Sequence, residues 1–143
     1  MALTGFKPTG EAHIGNYLGM IRPALELARD YDAYYFIADE HALTTVHDRE
    51  KMQHLTHEIA ATWLALGLDP TKTVLYRQSD VPQVFELAWI LSCVTPKGLL
   101  NRAHAYKAIT EENEAASRTI DDGVSMGLYN YPVLMAADIL IVD

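Results

Sequence analysis

The spacing of apolar positions changes several times along the chain, and each change predicts an element. Residues 2–6 read as a short strand. A loop punctuated by Gly5, Pro8 and Gly10 follows, and Ile14 then opens an apolar period through Tyr17, Leu18, Ile21, Leu25 and Ala28. That spacing predicts a helix from about Ile14 to Arg29. Pro23 lies inside it, where it removes one backbone bond and crowds the carbonyl of Gly19, so a kink is expected there. Ala33 to Ala38 is a nearly unbroken apolar run with aromatics, short enough for a buried parallel strand. Asp48 is placed as an N-cap for a helix whose Met52, Leu55, Ile59, Trp63 and Leu66 share one face, and Gly67 is placed to end it. Thr73 to Arg77 completes a strand–helix–strand–helix–strand alternation. This implies a parallel sheet with right-handed crossovers.

The second half is less regular. A helix from Pro82 to Val94 is apolar almost all round, which predicts burial in its own core or against another subunit. Trp89 reads as core there, as does Tyr76 on the third strand. Lys97 to Lys107 reads as a further helix carrying Arg102, His104 and Lys107. Thr110 to Asp122 holds five carboxylates and is expected to be polar and mobile. Tyr131 to Asp138 reads as a helix with Pro132 in its first turn. The closing run from Ile139 to Asp143 has no terminator, as if the chain stopped inside a domain. No internal repeat is present.

Composition narrows the class. At 143 residues, half of them apolar, the chain suits one domain able to bury ~70% of its unfolded surface. No apolar run approaches the ~20 residues of a membrane span. The opening residues lack the basic and apolar regions of a signal peptide. Cys93 is the only cysteine, so no internal disulfide forms, and a cytoplasmic location fits. His54 and His57 are three apart but lack a third ligand, so no metal site is expected. A net charge of −8 argues against a general nucleic-acid binder, because phosphate neutralisation needs clustered Lys and Arg.

Two places carry candidate chemistry. His13 and Asn16 stand three apart at a predicted helix N-terminus, where bare N–H groups and the helix dipole favour an anion. Gly15 between them lets a flat ligand approach the backbone. These are the parts of a triphosphate cradle, with Lys7 as a further positive charge. The plainer reading is a helix start with a capping His and a solvent-facing Asn. Asp138 is the second place. It sits among Val133, Leu134, Met135, Ala136, Ala137, Ile139 and Leu140, where an unpaired carboxylate would cost several kcal/mol. Its plainer reading is a helix-end carboxylate bonded to nearby backbone. Asp39-Glu40-His41 ends the second strand, the edge at which open α/β sheets usually bind ligands.

Lys7-Pro8-Thr9-Gly10 followed by His13-Ile14-Gly15-Asn16-Tyr17 resembles the first signature of the class I aminoacyl-tRNA synthetases, with Asn in its fourth place. The spelling is similar to the tryptophanyl branch of that family, and the likeness runs to the end of the chain. The resemblance implies a Rossmann-like α/β fold, a parallel sheet flanked by helices and incomplete at its C-terminal end. It also implies that a lysine-rich loop and an anticodon-binding part lie beyond these residues. By the same resemblance, Lys7, Thr9, His13, Gly15 and Asn16 hold ATP, with His13, Asn16 and Lys7 stabilising the reacting phosphates. Gly5 leaves room beside the amino acid and His41 stacks below it. Tyr131 meets the amino group, Met135 walls the indole, and Asp138 accepts the indole N–H. Leu3 stands where some relatives have Phe.

The implied reaction is attack of the tryptophan carboxylate on the ATP α-phosphate, with Mg²⁺ assisting, and then transfer to tRNA(Trp). The implied partners are L-tryptophan, that tRNA and a second copy of the chain. These residues alone are expected to bind ligands weakly and turn over slowly. The rival readings are tyrosyl-tRNA synthetase, a related nucleotidyltransferase with a similar His-containing loop, and a fragment that binds tryptophan or ATP without catalysis.

Overall fold

The structure is a computed structural model and describes residues 1–142; Asp143, the end of the closing apolar run, lies outside the described residues. The chain divides into two compact units, residues 1–81 and the segment from Pro82 onward. The single core expected from chain length is thus replaced by two clusters.

In the first unit, three parallel strands lie in the order β1-β2-β3. They are β1 (Ala2–Phe6), β2 (Ala33–Ile37) and β3 (Thr73–Arg77), registered so that Gly5 faces Phe36 and Phe36 faces Tyr76. The central strand is the most buried, with Ala33, Tyr35, Phe36 and Ile37 buried and Tyr34 exposed. The core gathers Phe6, Ile21, Ala24, Tyr35, Ile37, Ile59, Trp63 and Leu68. Tyr35 and Trp63 pack with ring centroids 5.0 Å apart. The Tyr35 hydroxyl is satisfied by donating to the carbonyl of Ala24, as a buried phenol requires.

The first helical run has three parts: α1 (Ile14–Asn16), a π-helical turn (Tyr17–Ile21) and α2 (Arg22–Leu27). The kink expected at Pro23 is therefore replaced by a wider helical turn. The Arg22 N–H bonds the carbonyl of Tyr17, five residues back. The wider turn lies directly before Pro23, whose nitrogen has no hydrogen to give the Gly19 carbonyl. A short helix, α3 (Asp39–Ala42), follows β2, and α4 (Arg49–Ala65) covers the sheet. Asp48 caps α4 by accepting from the Lys51 N–H at 2.7 Å. Gly67 follows its end with φ of +102°, the left-handed conformation that glycine adopts without penalty.

The second unit comprises α5 (Gln83–Val94), α6 (Lys97–Leu100), α7 (His104–Ala115) and α8 (Met126–Leu140). Leu100, Tyr129 and Val133 form its core, with Leu91, Tyr106 and Val124 packed against them. Four expectations change here. Helix α5 is not wrapped on all sides: Trp89, Ile90 and Val94 are exposed, and only Val84 is fully buried. The single helix expected over 97–107 is two, separated at residues 101–103.

The acidic stretch expected to be mobile is instead folded. Its first part belongs to α7, and the buried Asn113 side chain donates to the carbonyls of Ile120 and Asp122, closing the following turn. The carboxylates add to this anchor: Arg118 pairs with Glu112 and Asp122, and Asp121 accepts from the Tyr106 hydroxyl. Finally, α8 starts at Met126 rather than Tyr131, capped by Ser125, whose hydroxyl accepts from the Leu128 N–H at 3.2 Å. Pro132 is thus interior to α8. The serine cap six residues upstream of Tyr131 had the right residue type, but Gly127 and the proline masked the helix.

Candidate active site

The loop after β1 leads into the helix at which the anion cradle was expected. His13 is the N-cap of α1, in extended backbone conformation. Its Nδ1 accepts from the Gly15 N–H at 3.1 Å, and the Asn16 side-chain oxygen accepts from the His13 N–H at 3.0 Å. The two candidate phosphate contacts therefore form a reciprocal cap. The plainer reading of His13 is realised, while Asn16 is tied into the cap rather than left facing solvent.

The cap also sets the chemistry of the ring. With Nδ1 committed as acceptor, a neutral imidazole carries its hydrogen on Nε2. That N–H is what an anion would meet. The space left by Gly15 is taken by the His13 ring: a Cβ there would lie 2.9 Å from Cε1. The glycine is thus explained by the imidazole folding back over it.

Gly5 is explained similarly. A Cβ at this position would stand 2.5 Å from Cζ of Phe36, its registered neighbour on β2. Phe36, rather than open space, fills the gap expected beside a ligand. Gly5→Ala should lower the unfolding free energy by about 1–3 kcal/mol through overpacking, read by denaturant melts. Phe36→Leu in the same chain should recover part of that loss. An unchanged midpoint for Gly5→Ala would show that the ring moves freely.

Lys7, directly after β1, donates from Nζ to the Thr44 hydroxyl at 2.8 Å, and Thr44 in turn donates to the His41 carbonyl at 2.9 Å. Partial withdrawal of the Lys7 ammonium from water holds its pKa below the ordinary lysine value, since burial disfavours the charged form. The His41 N–H is accepted by Oε1 of Gln78, a fully buried side chain just after β3. Asp39 accepts from the Glu40 N–H, and from the backbone N–H and hydroxyl of Ser79. Burial raises the Glu40 pKa, and the neighbouring Asp39 charge adds to the effect. The ends of all three strands are thus laced together by polar side chains. Thr44, Gln78 and Ser79 were not singled out in the sequence. Gln78-Ser79-Asp80 after an apolar strand was the available signal, because it places polar residues at the ligand-binding edge.

In the second unit, Tyr131, Met135 and Asp138 recur at the four- and three-residue spacing that aligns side chains on one face of α8. Tyr131 is half-buried and Met135 is 49% exposed, whereas Asp138 is only 6% exposed. A buried carboxylate on an apolar helix beside an open thioether is a polar point in an otherwise apolar wall. Such a feature suits a ligand with one donor and a large hydrophobic body.

A parallel sheet with a capped helix N-terminus at its ligand edge, followed by this helix, defines a class. The model of the class I tRNA synthetases for W and Y matches residues 1–143, and the chain belongs to that family. Its curated relatives point to one branch. It is 58% identical over 140 residues to the tryptophan–tRNA ligase of Pseudomonas aeruginosa, covering 96% of this chain and 31% of that protein. It is 55% identical over 141 residues to that of Bordetella pertussis, covering 97% and 31%. The Campylobacter jejuni tryptophanyl-tRNA synthetase complexed with ADP and tryptophan superposes with a TM-score of 0.82 at 46% identity, over 96% of this chain and 41% of that one. The chain spans about a third of the length of the curated relatives it matches.

Proposed function

We propose that this chain is part of an enzyme that activates tryptophan with ATP and transfers it to tRNA(Trp). The supporting observation is the buried Asp138 on the apolar face of α8, in a chain whose curated relatives are tryptophan–tRNA ligases. An indole offers one N–H and a broad apolar body, and a single acceptor in an apolar wall is its complement. A tyrosyl enzyme must instead read a phenol at the ring's far end, and the P. aeruginosa and B. pertussis relatives favour tryptophan over that rival.

In this reading the tryptophan carboxylate attacks the α-phosphorus of ATP. The bond to the bridging oxygen breaks, and pyrophosphate leaves with the electron pair. No protein group becomes covalent. The chain's residues bind, orient and stabilise charge. His13 offers Nε2–H, Asn16 its amide and Lys7 its ammonium to phosphate oxygens, with Thr9 and Gly15 beside them. In the second unit, Tyr131 and Met135 bound the amino acid. Among the described residues, no group of three His, Cys, Asp or Glu side chains is placed to hold a metal ion. Mg²⁺ would enter with the nucleotide and neutralise its phosphates.

The exposed Trp89, Ile90 and Val94 of α5 support a homodimer, because so apolar a helix face is costly to leave in water. A cytoplasmic setting fits a reaction that consumes ATP and tRNA. Among the described residues, no helix is long and apolar enough to cross a membrane.

ATP–pyrophosphate exchange on the longest natural form of the chain tests the proposal. Exchange should depend on tryptophan, with tyrosine at least about a hundredfold poorer. Exchange with tyrosine alone would move the protein to the neighbouring branch. Tryptophan binding without any exchange would leave the non-catalytic reading standing.

A further inference from the structure

Thr44 has no role in the activity proposed above, yet it occupies a junction. Its hydroxyl takes the bond from the Lys7 ammonium at 2.8 Å and passes its own hydrogen to the His41 carbonyl at 2.9 Å. The chain of bonds continues from the His41 N–H to the buried Gln78. An unrestrained lysine side chain loses rotamer freedom when it is fixed on a ligand. A hydroxyl that holds the ammonium beforehand removes part of that cost. It also anchors the charge to the turn carrying His41.

We propose that Thr44 is a positioning residue: it pre-orders the Lys7 ammonium for the ATP phosphates by tethering it to the His41 turn. The assignment rests on the reading of Lys7 as a phosphate contact, but the tether itself does not. A hydroxyl suits the task because it accepts and donates at once. Valine has the same shape but offers neither function. The withdrawal of Lys7 from water that lowers its pKa agrees with an ammonium held against the protein surface.

Two measurements separate the tether from the reading it serves. In pyrophosphate exchange, Thr44→Val should raise the KM for ATP about fivefold to tenfold. The KM for tryptophan should stay within twofold, and the melting temperature should be near that of the wild type. Thr44→Ser should restore the ATP value, because it keeps the hydroxyl. In a chain already carrying Lys7→Met, Thr44→Val should add nothing. An unchanged ATP KM, or a full effect without Lys7, overturns the proposal.

The second measurement needs no ATP. Competitive acylation of the folded protein, quantified by mass spectrometry with the exposed Lys72 as internal standard, reads the freedom of Lys7 directly. Thr44→Val should raise Lys7 labelling at least threefold relative to Lys72, and Thr44→Ser should not. Equal labelling in all three proteins denies the tether. If labelling rises while no form of the protein uses ATP, the tether is real but the phosphate role of Lys7 fails, and with it the proposal.

Discussion

Replacing Asp138 by alanine should cost tryptophan-dependent pyrophosphate exchange on the order of a hundredfold in kcat/KM. The carboxylate is 6% exposed on a helix otherwise lined by Val133, Met135, Ala136 and Ala137. On the proposed function, removing it would leave the indole N–H of tryptophan without an acceptor, in a place water reaches poorly. An unpaired buried donor costs about 1–3 kcal/mol, and more when the lost partner was charged. The sharper readout is a ratio. A tryptophan analogue whose ring nitrogen is replaced by sulfur keeps the shape but has no N–H. The unsubstituted protein should discriminate against this analogue strongly, whereas Asp138→Ala should treat the two substrates within a few fold of each other. Asp138→Asn retains an acceptor oxygen in the same volume and should fall between them. If Asp138→Ala is folded by circular dichroism and still prefers tryptophan over the sulfur analogue by the original factor, selection lies elsewhere.

His13 allows a different separation, because it does two jobs that different residues can share. As a cap, its Nδ1 satisfies the Gly15 N–H; as a proposed phosphate contact, it uses Nε2–H. Alanine removes both functions. His13→Ala should therefore lose about 1 kcal/mol of stability and about 10²–10³ in exchange rate, the range for removing one hydrogen-bond donor from a developing oxyanion. Asparagine is among the best N-caps but is too short to present a donor where the imidazole edge lies. For His13→Asn the unfolding free energy should stay within about 0.5 kcal/mol of the wild type, while exchange remains at least about a hundredfold down. Urea melts and exchange rates measured on the same preparations check both halves. Wild-type exchange in His13→Asn would reduce His13 to a cap.

These two residues show how far the sequence could be read. His13 and Asn16 were legible because their spacing and the flanking glycines place them at a helix start, a local property. That they bond each other depends on the extended backbone at His13 and the side-chain rotamers, which no spacing specifies. Asp138 was legible as a polar residue in an apolar run, and its burial follows from the packing of α8. Gly5 is the opposite case. Read alone, it promises space. Its register against Phe36 fills that space, and register is set by strand pairing across more than thirty residues of chain. Thr44 and Gln78 escaped notice for the same reason. A threonine after a short helix and a glutamine after a strand are ordinary until the strand ends come together.

The amino-acid sequence by itself determined the three strands, the capped helix between the second and third, the pair His13 and Asn16 at a helix start, and a lone carboxylate, Asp138, in an apolar run. These follow from periodicity, turn chemistry and side-chain functional groups, all of which act over a few residues. Only the tertiary structure decided that the core is divided in two, that α5 shows Trp89 to solvent, and that Asn113 gathers an acidic run into a turn. It likewise decided that Lys7 is held through Thr44 to the turn of His41. Each of these depends on groups distant in sequence meeting in space, where burial and hydrogen bonding outweigh local preference.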